Sequence, residues 1–229
     1  MDLARRCPDV DVNEIVVPSD YKVYDDLGHE TKYKARALHY AIHNGGARKH
    51  DWIIHLDEET RFDERTVRTV LQHAMEENAA VRHGQKKHGN IGQGVILYGT
   101  GRVGTIQHWI TTLADSIRVA DDFGKFRFQY ELNEPLIGMH GSFVVASQDV
   151  EAAVGFHHGL AGSITEDAHF ALLARGKHGV KFSWVDSFMF EQSPFGMMDF
   201  IMQRRRWFGG LWLVCKDDRI PLQQRLCLT

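Results

Sequence analysis

Three short stretches carry the side chains whose types and spacing could do chemistry. In "LDEET" the consecutive acids Asp57, Glu58 and Glu59 follow an apolar run. Like charges packed this closely call for a cation, and oxygen ligands suit a hard divalent ion such as Mg2+ or Mn2+. Asp57 and Glu59 are the candidate metal ligands. In "SITEDAHF", Glu166 and Asp167 follow Thr165, and a carboxylate there that faces a cleft could act as a general base toward a hydroxyl. In "QRRRW", Gln203, Arg206 and Trp207 lie at i, i+3 and i+4, so one helical face presents an amide, a guanidinium and an indole. Arginine suits a pyrophosphate, and tryptophan suits the apolar face of a sugar. Each stretch also has a plainer reading: an acidic turn, a capped helix start with Thr165 as N-cap, and a basic stripe on a surface helix.

The elements that must position these groups alternate. "DWIIHL" reads as a strand running into the acids, "TKYKARALHYAIHNGG" as a helix stopped by Gly45 and Gly46, and "EIVVPSDY" as a short strand interrupted by Pro18. In "FDERTVRTVLQHAMEEN", Val67, Val70, Leu71, Ala74 and Met75 form a helical stripe with Asp63 as N-cap. "HGQKKHGNIGQG" reads as a loop before the strand "VILYG". "QHWITTLADSIRVADDFG" is an amphipathic helix with Trp109, Ile110, Leu113, Ile117 and Ala120 on one side. "GSFVVAS" and "VKFSWVDSFMF" read as strands, "TEDAHFALLARGKHG" as a helix ending at Gly176 or Gly179, and "PFGMMDFIMQRRRWFGGLWLVC" as an amphipathic helix holding a basic cluster. The alternation predicts an α/β fold with a mixed, mostly parallel sheet flanked by helices on both faces.

The chain of 229 residues, 43% hydrophobic and 25% charged, is long enough for one large domain. With 27 basic and 30 acidic side chains it has no basic field that would favour nucleic acid. Cys7, Cys215 and Cys227 are too scattered for a zinc site or a disulfide framework, which predicts reduced thiols. The fourteen histidines show no ligand motif, and no apolar run reaches the roughly 18 residues of a membrane span.

Taken in order, an acidic triplet after a strand, T-E-D at a helix start and Q-x-x-R-W on a later helix resemble the inverting family-two glycosyltransferases with a GT-A fold. The wording "DWIIHLDEET", "WITTLADSIRVADDFGK" and "SPFGMMDFIMQRRRW" is similar to the egghead-type β-1,4-mannosyltransferases, over about Glu14 to Cys215. The resemblance implies transfer of mannose from GDP-mannose to the glucose of a glycolipid acceptor, glucosylceramide, with inversion. It implies Asp167 as catalytic base, and Asp57 and Glu59 as the site of a divalent cation (Mn2+ or Mg2+). Gln203, Arg206 and Trp207 would lie over the diphosphate and acceptor sugar, and Gly141 and Ser142 would line the sugar pocket. It further implies a catalytic domain over 1–215 with a tail over 216–229. The protein would be membrane-associated in the ER or Golgi, facing the cytosol, with the Q-x-x-R-W helix lying in the interface. The first nucleotide-binding strand and the anchoring helices of the family have no match in the sequence, so a truncated chain is expected. Two other readings stay open. One is a synthase of the cellulose or glucomannan kind, and the other is a non-catalytic remnant that binds a membrane or a partner.

Overall fold

The computed structural model describes residues 13–99 and 104–228. The described chain begins in irregular backbone, and the strand expected at "EIVVP" does not form: Val16 lies in the open, and only the two-residue strands β1 (Val23–Tyr24) and β2 (Glu30–Thr31) pair with each other. With no partner to take its backbone groups, an apolar run is not held as a strand. Helix α1 (Tyr33–Asn44) follows and stops at Gly45.

The main sheet contains β3 (Trp52–His55), β4 (Ile91–Tyr98), β5 (Val144–Ser147) and β6 (Phe182–Glu191) in the order β3-β5-β4-β6. It is mixed. β4 and β6 pair in parallel along the longest ladder and β3 runs the same way, whereas β5 is antiparallel to both neighbours, so three of the four strands share one direction in the expected mixed, mostly parallel sheet. The chain enters β5 from the edge at which β4 ends, so β3, β4 and β6 finish at the edge where β5 begins. β4 also starts earlier than expected, at Ile91 inside the stretch read as loop, because Gly92 and Gly94 fit under close neighbours there. A Cβ on Gly94 would meet Phe143 Cε1 at 2.5 Å and the Val185 carbonyl oxygen at 2.6 Å, beside the bulge between Gln93 and Val95.

Successive strand residues point to opposite faces, and each face has its own core. Ile91, Val144, Ala146 and Phe182 pack with helix α5 (Gln148–Val154) and helix α6 (Glu166–His178); Ile96, Val145, Val185 and Met189 pack under Val70 of helix α2 (Glu64–Arg82). Asp63 caps α2 as expected, accepting from the Thr66 amide at 2.8 Å. The buried line of α2 is Thr66, Val70, Ala74 and Glu77, while Val67, Leu71 and Met75 of the expected stripe are exposed. Helix α6 is buried nearly all round and ends at Gly179 in the left-handed conformation, φ 67°.

Helix α3 (Ile106–Asp121) reverses the expected amphipathicity. Trp109, Ile110, Leu113 and Ile117 face outward, and the side turned inward carries His108, Thr111, Asp115, Arg118 and, just beyond the helix, Asp122. These five recur at spacings of three and four residues. A π-helical turn, Asp122–Phe126, follows and leads into the short α4 (Arg127–Glu131); its first residue accepts from the Ile96 amide at 3.0 Å. The chain closes with α7 (Met197–Cys215) and α8 (Leu222–Arg225). Cys215 and Cys227 are free thiols, and Cys7 lies outside the described residues.

Candidate active site

A cavity of about 840 Å³ opens where β3, β4 and β6 end, and all eight residues singled out from sequence line it: Asp57, Glu59, Gly141, Ser142, Asp167, Gln203, Arg206 and Trp207. The ends of strands are where α/β sheets hold ligands, because the loops leaving them converge there.

One wall is acidic. Asp57 sits in a tight turn after β3, its amide donating to Thr60 Oγ1 at 3.0 Å, and Thr60 Oγ1 donates in turn to Glu191 Oε1 at 3.2 Å. Lys34, in the first turn of α1, donates to Asp57 Oδ1 at 2.6 Å and to the Gly141 carbonyl at 3.2 Å. Burial pulls the Lys34 ammonium down, but Asp57, and behind it Glu166 and Asp167, outweigh that and hold it above its usual value. Burial pushes Glu166 up to about 7, the Asp167 charge adding to the effect. Burial likewise raises Asp167 against the pull of the Ala168 amide, His140 and Lys34, and raises Glu191. Asp57, Glu59, Glu166, Asp167 and Glu191 thus line the cavity together with Lys34.

Asp167 lies in the first turn of α6. Its Oδ1 accepts from the Ala168 amide at 2.8 Å, and its Oδ2 points toward Gly141, where an added Cβ would stand 3.2 Å away. Glycine at 141 therefore leaves the space before the carboxylate open. The segment carrying Gly141 and Ser142 is clamped by Gln93 of β4, whose side-chain amide donates to the carbonyls of His140 and Ser142 at 3.0 and 3.1 Å. Tyr130 OH fixes that amide by donating to its oxygen at 2.6 Å. Thr165 stands at the N-cap position of α6 but makes no side-chain cap. Its side chain instead packs closely against α7, where a Cβ on Gly210 would meet Thr165 Cγ2 at 2.6 Å. That contact seats the Q-x-x-R-W helix directly on the T-E-D turn.

The opposite wall is cationic and aromatic. The Arg204 guanidinium is 4.3 Å from the centre of the Trp207 ring and that of Arg118 is 4.7 Å from it; Arg118 also lies 4.7 Å over Tyr98. Arg204 is ion-paired with the buried Asp115 of α3. Gln203 and exposed Arg206 complete the wall, and the Gln203 Oε1 is buried with no hydrogen-bond partner among the described residues. Sequence reasoning missed Lys34, Glu191, Tyr98, Asp115, Arg118 and Arg204. The polar residues recurring at helical spacing in α3 were the signal that could have found Asp115 and Arg118.

Among the described residues, no group of three or more His, Cys, Asp or Glu is gathered so as to hold a metal by itself. The donor chemistry nevertheless fits a hard cation bound by one or two carboxylates and completed by substrate phosphates, since the acidic wall carries more negative charge than Lys34 offsets.

A mixed α/β sheet with a cavity at its strand ends agrees with a glycosyltransferase fold, and the chain belongs to the family "Glycosyl transferase family group 2", whose model matches residues 52–228. Among curated proteins it is 40% identical over 225 residues to the beta-1,4-mannosyltransferase bre-3 of Caenorhabditis elegans, covering 97% of this chain and 46% of that protein. It is 39% identical over 220 residues to the beta-1,4-mannosyltransferase egh of Drosophila melanogaster, covering 95% of this chain and 44% of that protein. The chain thus spans slightly less than half the length of these relatives.

Proposed function

We propose that the cavity transfers mannose from GDP-mannose to the glucose of glucosylceramide, forming a β-1,4 linkage with inversion at the anomeric carbon. The observation that carries this reading is the open Oδ2 of Asp167, cleared by Gly141 and facing a cavity whose two walls differ in charge. Asp167 takes the proton from the acceptor hydroxyl as the new bond forms on the face of the sugar opposite the departing GDP. Its raised pKa makes it a stronger base once ionised, while the Ala168 amide, His140 and Lys34 favour the ionised form against burial. Asp57 and Glu59 would hold a divalent cation, Mn2+ or Mg2+, which would offset charge on the diphosphate. Gln203, Arg206 and Trp207 bind donor and acceptor from the facing wall, and Gly141 and Ser142 border the sugar.

The activity for which these relatives are named supports mannose as the sugar and the β-1,4 linkage. For location, the reading is the cytosolic face of an ER or Golgi membrane. It is supported by the outward apolar sides of α3 and α7, with Ile117 and Phe208 both more than two-thirds exposed. No described helix is long and apolar enough to cross a membrane.

The test offers GDP-mannose, UDP-glucose and UDP-galactose with Mn2+ and glucosylceramide, and reads products by mass spectrometry. One added hexose from GDP-mannose is the expected result. Turnover of a UDP-sugar alone would overturn the donor, and a ladder of added hexoses would favour a polysaccharide synthase.

A further inference from the structure

The Q-x-x-R-W stretch draws attention to Arg206, but the arginine best set to meet an anion comes from another helix. Arg118 projects from the inward side of α3 into the cavity. Its guanidinium carbon lies 4.7 Å over the centres of both the Tyr98 and the Trp207 rings, contacts that occupy none of its five N–H donors with a hydrogen bond. Its polar contacts are long: 3.5 Å from Nη2 to His140 Nδ1 and 3.9 Å from Nη1 to Asp115 Oδ1. Arg204, by contrast, is committed to Asp115 through a close ion pair. The shared carboxylate therefore compensates Arg204 and leaves Arg118 with unused hydrogen-bonding capacity beside a cavity more than large enough for a diphosphate.

Two further features support this placement. Helix α3 leaves Trp109, Leu113 and Ile117 in the open while turning His108, Thr111, Asp115 and Arg118 inward, an arrangement that hydrophobic burial alone disfavours. His108 and Thr111 are used structurally: His108 Nε2 contacts Gln192 Nε2 at 2.7 Å, and Thr111 Oγ1 donates to the Pro194 carbonyl at 2.5 Å, which fixes the loop leading into α7. Among the described residues, Arg118 makes only the long polar contacts to His140 and Asp115. Its planar fork matches two oxygens of a phosphate.

We infer that Arg118, stacked between Tyr98 and Trp207 and held beside the Asp115–Arg204 pair, forms an oxyanion subsite that binds a phosphate of the donor's nucleoside diphosphate. Trp207, besides its contact with donor and acceptor, then also orients these guanidiniums. The inference rests on the donor reading above. An Arg-to-phosphate pair adds charge-assisted bonds that GDP and inorganic pyrophosphate both engage.

The test is calorimetric titration of the full 229-residue chain, with Mn2+ present, using GDP and inorganic pyrophosphate as separate probes. Arg118→Met keeps a stem between the rings and removes the donors; it should weaken both ligands by roughly 10- to 100-fold. Lys125→Met, which removes an exposed cation paired with Asp121, should leave both affinities within about twofold, as expected for a surface charge. If Arg118→Met folds poorly, Arg118→Lys keeps the charge without the fork, and it should weaken both ligands by roughly threefold or more. Affinities of the Arg118 variant within about twofold of wild type would overturn the subsite while leaving the donor reading intact. An equal loss in the Lys125 variant would overturn it as a local effect. Wild-type protein that binds neither probe would overturn the donor reading and the subsite together.

Discussion

The two walls of the cavity solve opposite electrostatic problems with different parts of the fold. The acidic wall is assembled from ends: the turn after β3, the last residue of β6, the first turns of α1 and α6. Burial raises its Glu166, Asp167 and Glu191, and one lysine pairs with Asp57. The cationic wall is assembled from the sides of two helices, α3 and α7, where guanidiniums stack on aromatic rings and share one buried aspartate. Strand ends and helix starts can be brought close together but leave charge unneutralised, which suits groups that await a cation or a proton. Helix sides hold long side chains in fixed rows, which suits groups that grip an anion.

The sharpest way to break that contrast is to remove one proton acceptor. Asp167→Asn should cut transfer on the order of 100- to 10,000-fold while leaving the melting temperature and GDP affinity close to wild type. Transfer within about threefold, at matched folded protein, would return the T-E-D turn to a structural role. Next in size is the cation. If the acidic wall meets the diphosphate only through a metal, EDTA should lower GDP affinity by about 100-fold or more, and Mn2+ should restore it; unchanged affinity in EDTA would mean that the arginine wall suffices. The seam between the walls gives a smaller effect. Gly210→Ala, which forces a Cβ against Thr165, should cost about 1–3 kcal/mol of stability by chemical denaturation, and a neutral result would show that the walls can part without strain.

The smallest effect lies outside both walls. Burial, helped by His43 and His157, pushes His39 down to about 4. Below its ordinary value near 6.5 the unfolded chain takes up this proton first, so His39 contributes stability above pH 6.5 that is lost as pH falls toward 4. Replacing it with Gln should flatten the fall in melting temperature across that window by about 2 °C. An unaltered slope would assign the acid sensitivity to other groups.

Much of this was legible from sequence where a residue's type and its neighbours agree. The carboxylates after β3, the start of α6 and the face of α7 all carry local signals, and the structure gathers all eight chosen side chains on one cavity. What sequence hid depends on which side of an element faces inward. The apolar residues of α3 give a clear helical period, and the same period describes the polar residues that line the cavity; only tertiary packing decides between them. Lys34 was hidden for a similar reason, since nothing in "TKYKARAL" separates an ordinary surface lysine from one whose amine reaches Asp57 at 2.6 Å. The antiparallel β5 depended on the edge from which the chain enters the sheet, which helix-and-strand alternation does not encode.

The enclosure of α6 has a consequence in time as well as in space. From Ala168 to Ala174 every residue is buried, and His169 Nε2 is tied to Asp217 Oδ2, beyond the end of α7, at 2.8 Å. Amides in such a segment reach solvent only when much of the domain opens at once, so their hydrogen exchange should be among the slowest in the molecule. Asp167 sits one residue before that segment. Its carboxylate is thereby carried by a segment expected to fluctuate little, so under the proposed function its orientation would persist from one acceptor to the next.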